Sequence, residues 1–172
     1  MHNFYFNFSD LKFMGENVII GKMVRIRNPG MVSIGDNTII DDFTYISCSM
    51  EIGKNCHIAS NVSISGGKGK LIMGDYSTLS NHCSVHCASS DYKSISMDLP
   101  SIPEEERYGG YVEDVIMGNY VTVGAHCCIL PGSILPDYTA FGAYTLINNK
   151  NLEERHLYSG FKCKNDMGER KK

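Results

Sequence analysis

His82 and His86 stand four residues apart in "SNHCSVHCASSDY", residues 80–92, just ahead of Ser89, Ser90 and Asp91. An imidazole titrates close to neutral pH, so one placed beside an acceptor hydroxyl or amine can serve as its general base. Cys83 and Cys87 flank the two rings, which opens a second chemistry, a Cys–His nucleophile. With His126, the histidines also number enough for a zinc site. Choosing among base, nucleophile and metal requires the scaffold that positions these side chains.

That scaffold has a period of six. Ile34, Ile40, Ile46, Ile52, Ile58 and Ile64 recur without a gap; after "SGGKGK" the phase resumes at Met73, Leu79 and Val85. A longer interruption follows, and then Met117, Val123, Ile129, Leu135, Phe141 and Ile147 continue it. A second column, four residues on, holds small or β-branched residues: Thr38, Thr44, Cys56, Val62, Ser77, Cys83, Val121, Cys127, Ser133, Thr139 and Thr145. A helix needs apolar spacing near 3.6 and a free strand needs 2; six fits neither. It fits short parallel strands joined by tight turns, three to a triangular coil, with coils stacked at ~4.8 Å. A β-sandwich would instead show irregular strand spacing of roughly 8–12 residues. Glycine or alanine after the aliphatic residue, as in Ile34-Gly35 and Met117-Gly118, suits a corner where a side chain would crowd or φ turns positive.

The expected architecture is therefore all-β, a parallel solenoid of five to six coils over residues 18–148. Residues 1–17, rich in Phe and Tyr, are expected to cap one end and 149–172 the other, where Asn151 and Glu154 have the spacing of a capping box for a short helix. The long interruption, about 89–114, contains "SIPEEERYGGY", in which Ser101 and Pro103 predict a helical turn. Long excursions from a rigid scaffold commonly carry function.

Composition narrows the class. The 172 residues suit one domain. A net charge of −3 and a pI near 6.0 give no footprint for nucleic acid or an anionic membrane. No apolar run approaches the ~20 residues of a membrane span, and the start lacks the pattern of a signal peptide. The seven cysteines include no CxxC pair, which points to reduced thiols in a cytoplasmic protein, packed as small buried fillers.

From Ser80 onward, "ASSDY", "SIPEEER", "VTVGAHCCILPGSILPDYTAFGAYTLINNK" and "LYSGFKCK" follow one another in an order that resembles the hexapeptide-repeat acyltransferases, in particular sugar acetyltransferases of surface-polysaccharide pathways. The resemblance spans the hexads and reaches nearly to the C-terminus. It implies a left-handed β-helix, a homotrimer with the pantetheine lying between adjacent solenoids, and acetyl-CoA as co-substrate without a metal. It implies as acceptor a nucleotide-linked amino or deoxy sugar bound for lipopolysaccharide O-antigen or capsule, with O- and N-transfer both open. Corner amides near Gly124, Ala125, Gly142 and Ala143 are then candidates for the pantetheine, and Lys150, Lys162 and Lys164 for the coenzyme phosphates. Ser89, Ser90, Asp91, Glu105 and Arg107 are candidate acceptor ligands. Where many relatives place the base histidine, this chain has Ser90, so the role falls to His82 first and His86 second. Pro136-Asp137 and Phe161-Lys162-Cys163 depart from the family pattern at the coenzyme end. Two rivals share the scaffold: a γ-carbonic-anhydrase-type zinc protein and an acetyltransferase of a small non-sugar acceptor. The zinc reading is disfavoured because histidines four apart on a six-residue coil edge do not reproduce its ligand geometry.

Overall fold

In the computed structural model, residues 2–92, 97–148 and 151–160 and the backbone of 165–169 are described. Three parallel sheets wrap one axis as a left-handed β-helix of about seven turns, more than the five to six coils expected. The first face carries Phe13–Met14, Val32–Ile34, Ser49–Ile52, Lys70–Met73, Val115–Met117 and Ile134–Leu135. The second carries Ile19–Ile20, Ile39–Ile40, His57–Ile58, Thr78–Leu79, Thr122–Val123, Ala140–Phe141 and His156–Ser159. The third carries Arg25–Ile26, Tyr45–Ile46, Ser63–Ser65, Ser84–His86, Cys128–Ile129 and Leu146–Ile147. The first rung, Phe13–Met14, already pairs with Val32–Ile34 inside the stretch expected as a cap.

The hexad residues stack in register along the axis. Ile34, Ile52, Met73, Met117 and Leu135 form one column, Ile40, Ile58, Leu79, Val123 and Phe141 the second, and Ile46, Ile64, Val85, Ile129 and Ile147 the third. All are buried. The small column does more than fill space. Thr38 and Ser77 hydroxyls donate to the corner carbonyls of Gly53 and Gly118 in the next coil, at 3.0 and 2.8 Å. The thiols of Cys56, Cys83 and Cys127 donate likewise to Gly74, Gly124 and Gly142, each at 3.1 Å. A corner carbonyl turned inward needs such a donor, which explains why Ser, Thr and Cys share one column.

Directly after the aliphatic residue, Gly35 answers to crowding. A Cβ on Gly35 would come within 2.6 Å of the Gly53 backbone. The positive φ expected there falls two residues later instead, at Asn37, Asn55, Tyr76, Tyr120 and Tyr138 on one corner and at Asn61, His82, His126 and Tyr144 on the next. Successive coils align these residues, so Tyr76, Tyr120 and Tyr138 stack at 4.8 and 4.9 Å between ring centroids.

Among the described residues the expected C-terminal helix is not formed. Residues 151–153 are irregular, Arg155 takes φ 63° at a corner, and His156–Ser159 adds a seventh rung to the second face. Tyr158 is buried above Phe141, and its hydroxyl accepts the Glu153 N–H at 2.9 Å. Asn165–Glu169 then pairs antiparallel with that rung and covers the sheet edge. Burial of Tyr158 and completion of the ladder outweigh a weak helix-start signal. The long excursion begins as an antiparallel pair, Ala88–Ser89 with Tyr111–Val112. It contains the expected helical turn as a 3-10 segment, Glu104–Glu106.

Candidate active site

One outward position of the third face carries a polar row. Arg27, Ser47, Ser65 and His86 each follow the inward aliphatic residue of their rung, so successive coils place them side by side. The excursion arches over this row and forms with it an open cleft of about 710 Å³. Its floor includes Arg27, Tyr45, Ser47 and Ser65; Asp98, Arg107 and Tyr111 come from the arm. Gly66-Gly67 on the solenoid and Gly109-Gly110 on the arm complete the walls.

His86 meets this cavity through Ser65, whose Oγ lies 3.1 Å from His86 Nδ1. Burial of the half-exposed ring lowers its pKa below the ordinary imidazole value, so the ring is neutral and able to take a proton at neutral pH. Of the expected acceptor ligands, Arg107 lines the cavity and Ser90 reaches it by donating to Asp98 Oδ1 at 3.0 Å. Arg107 is held by the arm itself, donating to the carbonyls of Ile102 at 2.6 Å and Pro100 at 2.9 Å. Ser89 donates to the Ser90 carbonyl at 3.2 Å. Ser89, Asp91 and Glu105 are on the arm and do not line the cavity.

The structure separates the two histidines. His82 occupies the corner between the second and third faces at φ 60°, exposed, with its ring stacked on His126 at 4.8 Å. His126 in turn stacks on Tyr144 at 4.7 Å. His82 and His126 thus meet face to face instead of pointing nitrogens at a common centre. Among the described residues, no group of three or more His, Cys, Asp and Glu side chains is arranged to hold a metal ion.

Residues 31–66 match the family model described as bacterial transferase hexapeptide (six repeats). Over 139 residues, 79% of this chain and 71% of the other, it is 32% identical to the dTDP-4-amino-4,6-dideoxy-D-glucose acyltransferase of Escherichia coli. The chain belongs to the hexapeptide-repeat acyltransferase family. A point variant of AntD, an N-acyltransferase from Bacillus cereus, in complex with dTDP-4-amino-4,6-dideoxyglucose and coenzyme A, superimposes on this acyltransferase with a TM-score of 0.87. The two are 30% identical, over 95% of this chain and 86% of that one. AntD with dTDP and 3-hydroxybutyryl-CoA gives 0.83 at 28% identity, over 98% and 91%. A maltose O-acetyltransferase from Clostridium difficile, 15% identical with a TM-score of 0.58 over 95% of this chain and 72% of the other, shares the fold.

Within the acyltransferase, the two cysteines beside the histidines are unsuited to nucleophilic work. The hydrogen bond with Cys127 and burial push the Cys83 thiol up, and the hydrogen bond with Cys48 and burial do the same for Cys87. A buried, protonated thiol is a poor nucleophile. At the coenzyme end, the Gly124 and Gly142 amides already donate to Phe141 and Tyr158 carbonyls, both at 2.8 Å. That leaves the amides of Ala125 and Ala143 as donors outside the ladder. Lys150, Lys162 and Lys164 lie outside the described residues.

Arg27, Tyr45, Ser47 and Ser65 were not among the expected site residues. A signal existed in the coil length: stepping back from His86 by one coil of 21 residues and then one of 18 reaches Ser65 and Ser47.

Proposed function

We propose that the enzyme transfers an acyl group from a coenzyme A thioester to the amine of a nucleotide-linked amino deoxy sugar. The observation that carries this reading is the cavity beneath the excursion, whose floor presents a Ser65 hydroxyl joined to the neutral imidazole of His86. The relatives named above, acyltransferases of a dTDP-linked 4-amino sugar, favour N-transfer over O-transfer.

The amine nitrogen attacks the thioester carbonyl, the C–S bond breaks, and the coenzyme leaves as a thiolate, which becomes a thiol by taking back the proton held on His86. The proton released by nitrogen passes to Ser65 Oγ while that hydroxyl gives its own proton to His86 Nδ1. Ser65 is interposed because it lines the cavity whereas His86 lies behind it. Ser90 and Asp98 offer a hydroxyl and a carboxylate to the sugar from the arm. The pantetheine runs along the corner of Ala125 and Ala143, accepting from their amides, with Lys150, Lys162 and Lys164 as partners for its phosphates. A homotrimer supplies the second wall of that groove, and light scattering at micromolar concentration is expected to give about three chains. The compartment proposed is the cytoplasm and the product a building block for O-antigen or capsule. No helix among the described residues is long and apolar enough to cross a membrane.

The test is release of free thiol from acetyl-CoA or 3-hydroxybutyryl-CoA in the presence of dTDP-4-amino-4,6-dideoxyglucose. Sugar-dependent release is expected. Absence of sugar-dependent release with both thioesters would defeat the reading, and release only with a sugar lacking the amine would move it to O-transfer.

A further inference from the structure

At the far end of the polar row from His86 stands a cation without an anion. Arg27 is exposed on the cavity floor, and its guanidinium lies 6.0 Å from the Tyr45 ring centroid. Arg25, opposite Tyr45 on the neighbouring rung, lies 5.9 Å from the same ring. Among the described residues, neither arginine pairs with a carboxylate. The other cations of the cavity are committed: Lys68 to Glu104 at 2.5 Å, and Arg107 to two carbonyls of the arm. The carboxylate of the cavity, Asp98, already receives the Ser90 hydroxyl. A guanidinium held over an aromatic ring keeps its donor fork, and that fork matches the paired oxygens of a phosphate.

The "SGGKGK" interruption supports a ligand at this place. It lengthens one coil and folds as a tight turn, closed by Gly69 N–H donating to the Gly66 carbonyl at 2.8 Å. Gly66 is required by packing, because a Cβ there would come within 2.6 Å of Cys87. Gly67 has the left-handed φ of 53° that favours glycine, and it faces open space, with nothing within 4 Å of a Cβ. It leaves an open wall where a ligand can approach the backbone. Two rung spacings, about 10 Å, separate Arg27 from Ser65. That is room for a sugar ring and the phosphate linked to it.

We infer that Arg27, oriented by Tyr45, anchors the diphosphate of a nucleoside diphosphate sugar, which lays the sugar over Ser47 and presents its reacting group at Ser65 and His86. The position of the reacting group rests on the acyl-transfer reading; the diphosphate anchor does not.

The experiment is calorimetric titration with dTDP, thymidine and coenzyme A of the full chain and of Arg27→Gln. The Arg27→Gln protein is expected to lose about 10–100-fold in dTDP affinity, the usual worth of a charge-assisted contact. Thymidine binding and coenzyme A affinity should not change, and KM for the nucleotide sugar should rise by the same factor as the dTDP constant. Arg27→Lys should restore part of the loss, since charge remains and the fork does not. Unchanged dTDP affinity in Arg27→Gln, or an equal loss for thymidine, overturns the anchor. If dTDP binding falls as expected but no thiol is ever released, the anchor stands and the acyl-transfer reading fails. If Arg27→Gln turns over the sugar with a normal KM, the anchor fails and acyl transfer stands.

Discussion

Replacing His86 by asparagine is expected to leave the solenoid folded and to lower turnover by about 10²–10⁴-fold, the range of general-base catalysis. Asparagine retains bulk and a hydrogen bond toward Ser65, but it cannot store a proton. The wild-type enzyme should also lose activity in acid, with a limb lying below the ordinary imidazole value of about 6.5, because burial lowers the His86 pKa. The same shift sets the sign for stability. The unfolded chain binds the proton more readily, so this contribution is fully present above about pH 6.5 and is lost as pH falls through the lower folded value. Melting curves across the same range separate loss of fold from loss of the base. A sugar amine that protonates produces an acid limb of its own, so the profile of His86→Asn must be compared: it should lack the imidazole contribution. His82→Asn should retain most activity, because its ring belongs to the corner stack with His126 and not to the cavity. If His82→Asn is the inactive protein and His86→Asn the active one, the proton goes to the corner instead, and the Ser65 relay is wrong.

Ile58→Asp is expected to abolish folding. Ile58 has no exposed surface and stacks between Ile40 and Leu79 in the inward column of the second face. A carboxylate there has no cation within the apolar axis, and burying an unpaired charge or forcing it to protonate costs several kcal/mol, beyond the lost packing of the isoleucine. Set against a typical total stability of about 5–15 kcal/mol, that loss is decisive. Each coil is also the template for the next, so a break in the middle leaves both halves with an uncovered end. Circular dichroism and the yield of soluble protein are the measurements. A soluble Ile58→Asp protein with a cooperative melt and normal turnover would show that this column does not fill an axis.

The architecture was legible in the chain because the axis of a triangular coil admits one large inward side chain per six residues. Chemistry must therefore repeat at that period wherever the coil repeats, as from Ile34 to Ile64. The excursion could be read for the same reason, as a break in that rule, and the turn at Glu104–Glu106 from Ser101 and Pro103 just ahead of it. The seventh rung escaped the count because Tyr158 follows Phe141 by 17 residues where Phe141 follows Val123 by 18, which moves it out of phase. Glycine also misled about where φ turns positive: stacking of Tyr and His on successive coils makes a left-handed corner tolerable for bulky residues, and no local propensity anticipates that.

The site was less legible than the axis. Outward positions face solvent, the arm or another molecule, so nothing forces their residue types to repeat, and Arg27, Ser47, Ser65 and His86 share only their place after the inward aliphatic residue. Their alignment depends on the parallel register, on the three extra residues of the "SGGKGK" coil, and on an arm that crosses this face. Residue types near position 82 and the resemblance they carry pointed to acyl transfer. Only the stacking of coils decided that His86 reaches the cavity through Ser65 while His82, four residues earlier, turns away at a corner.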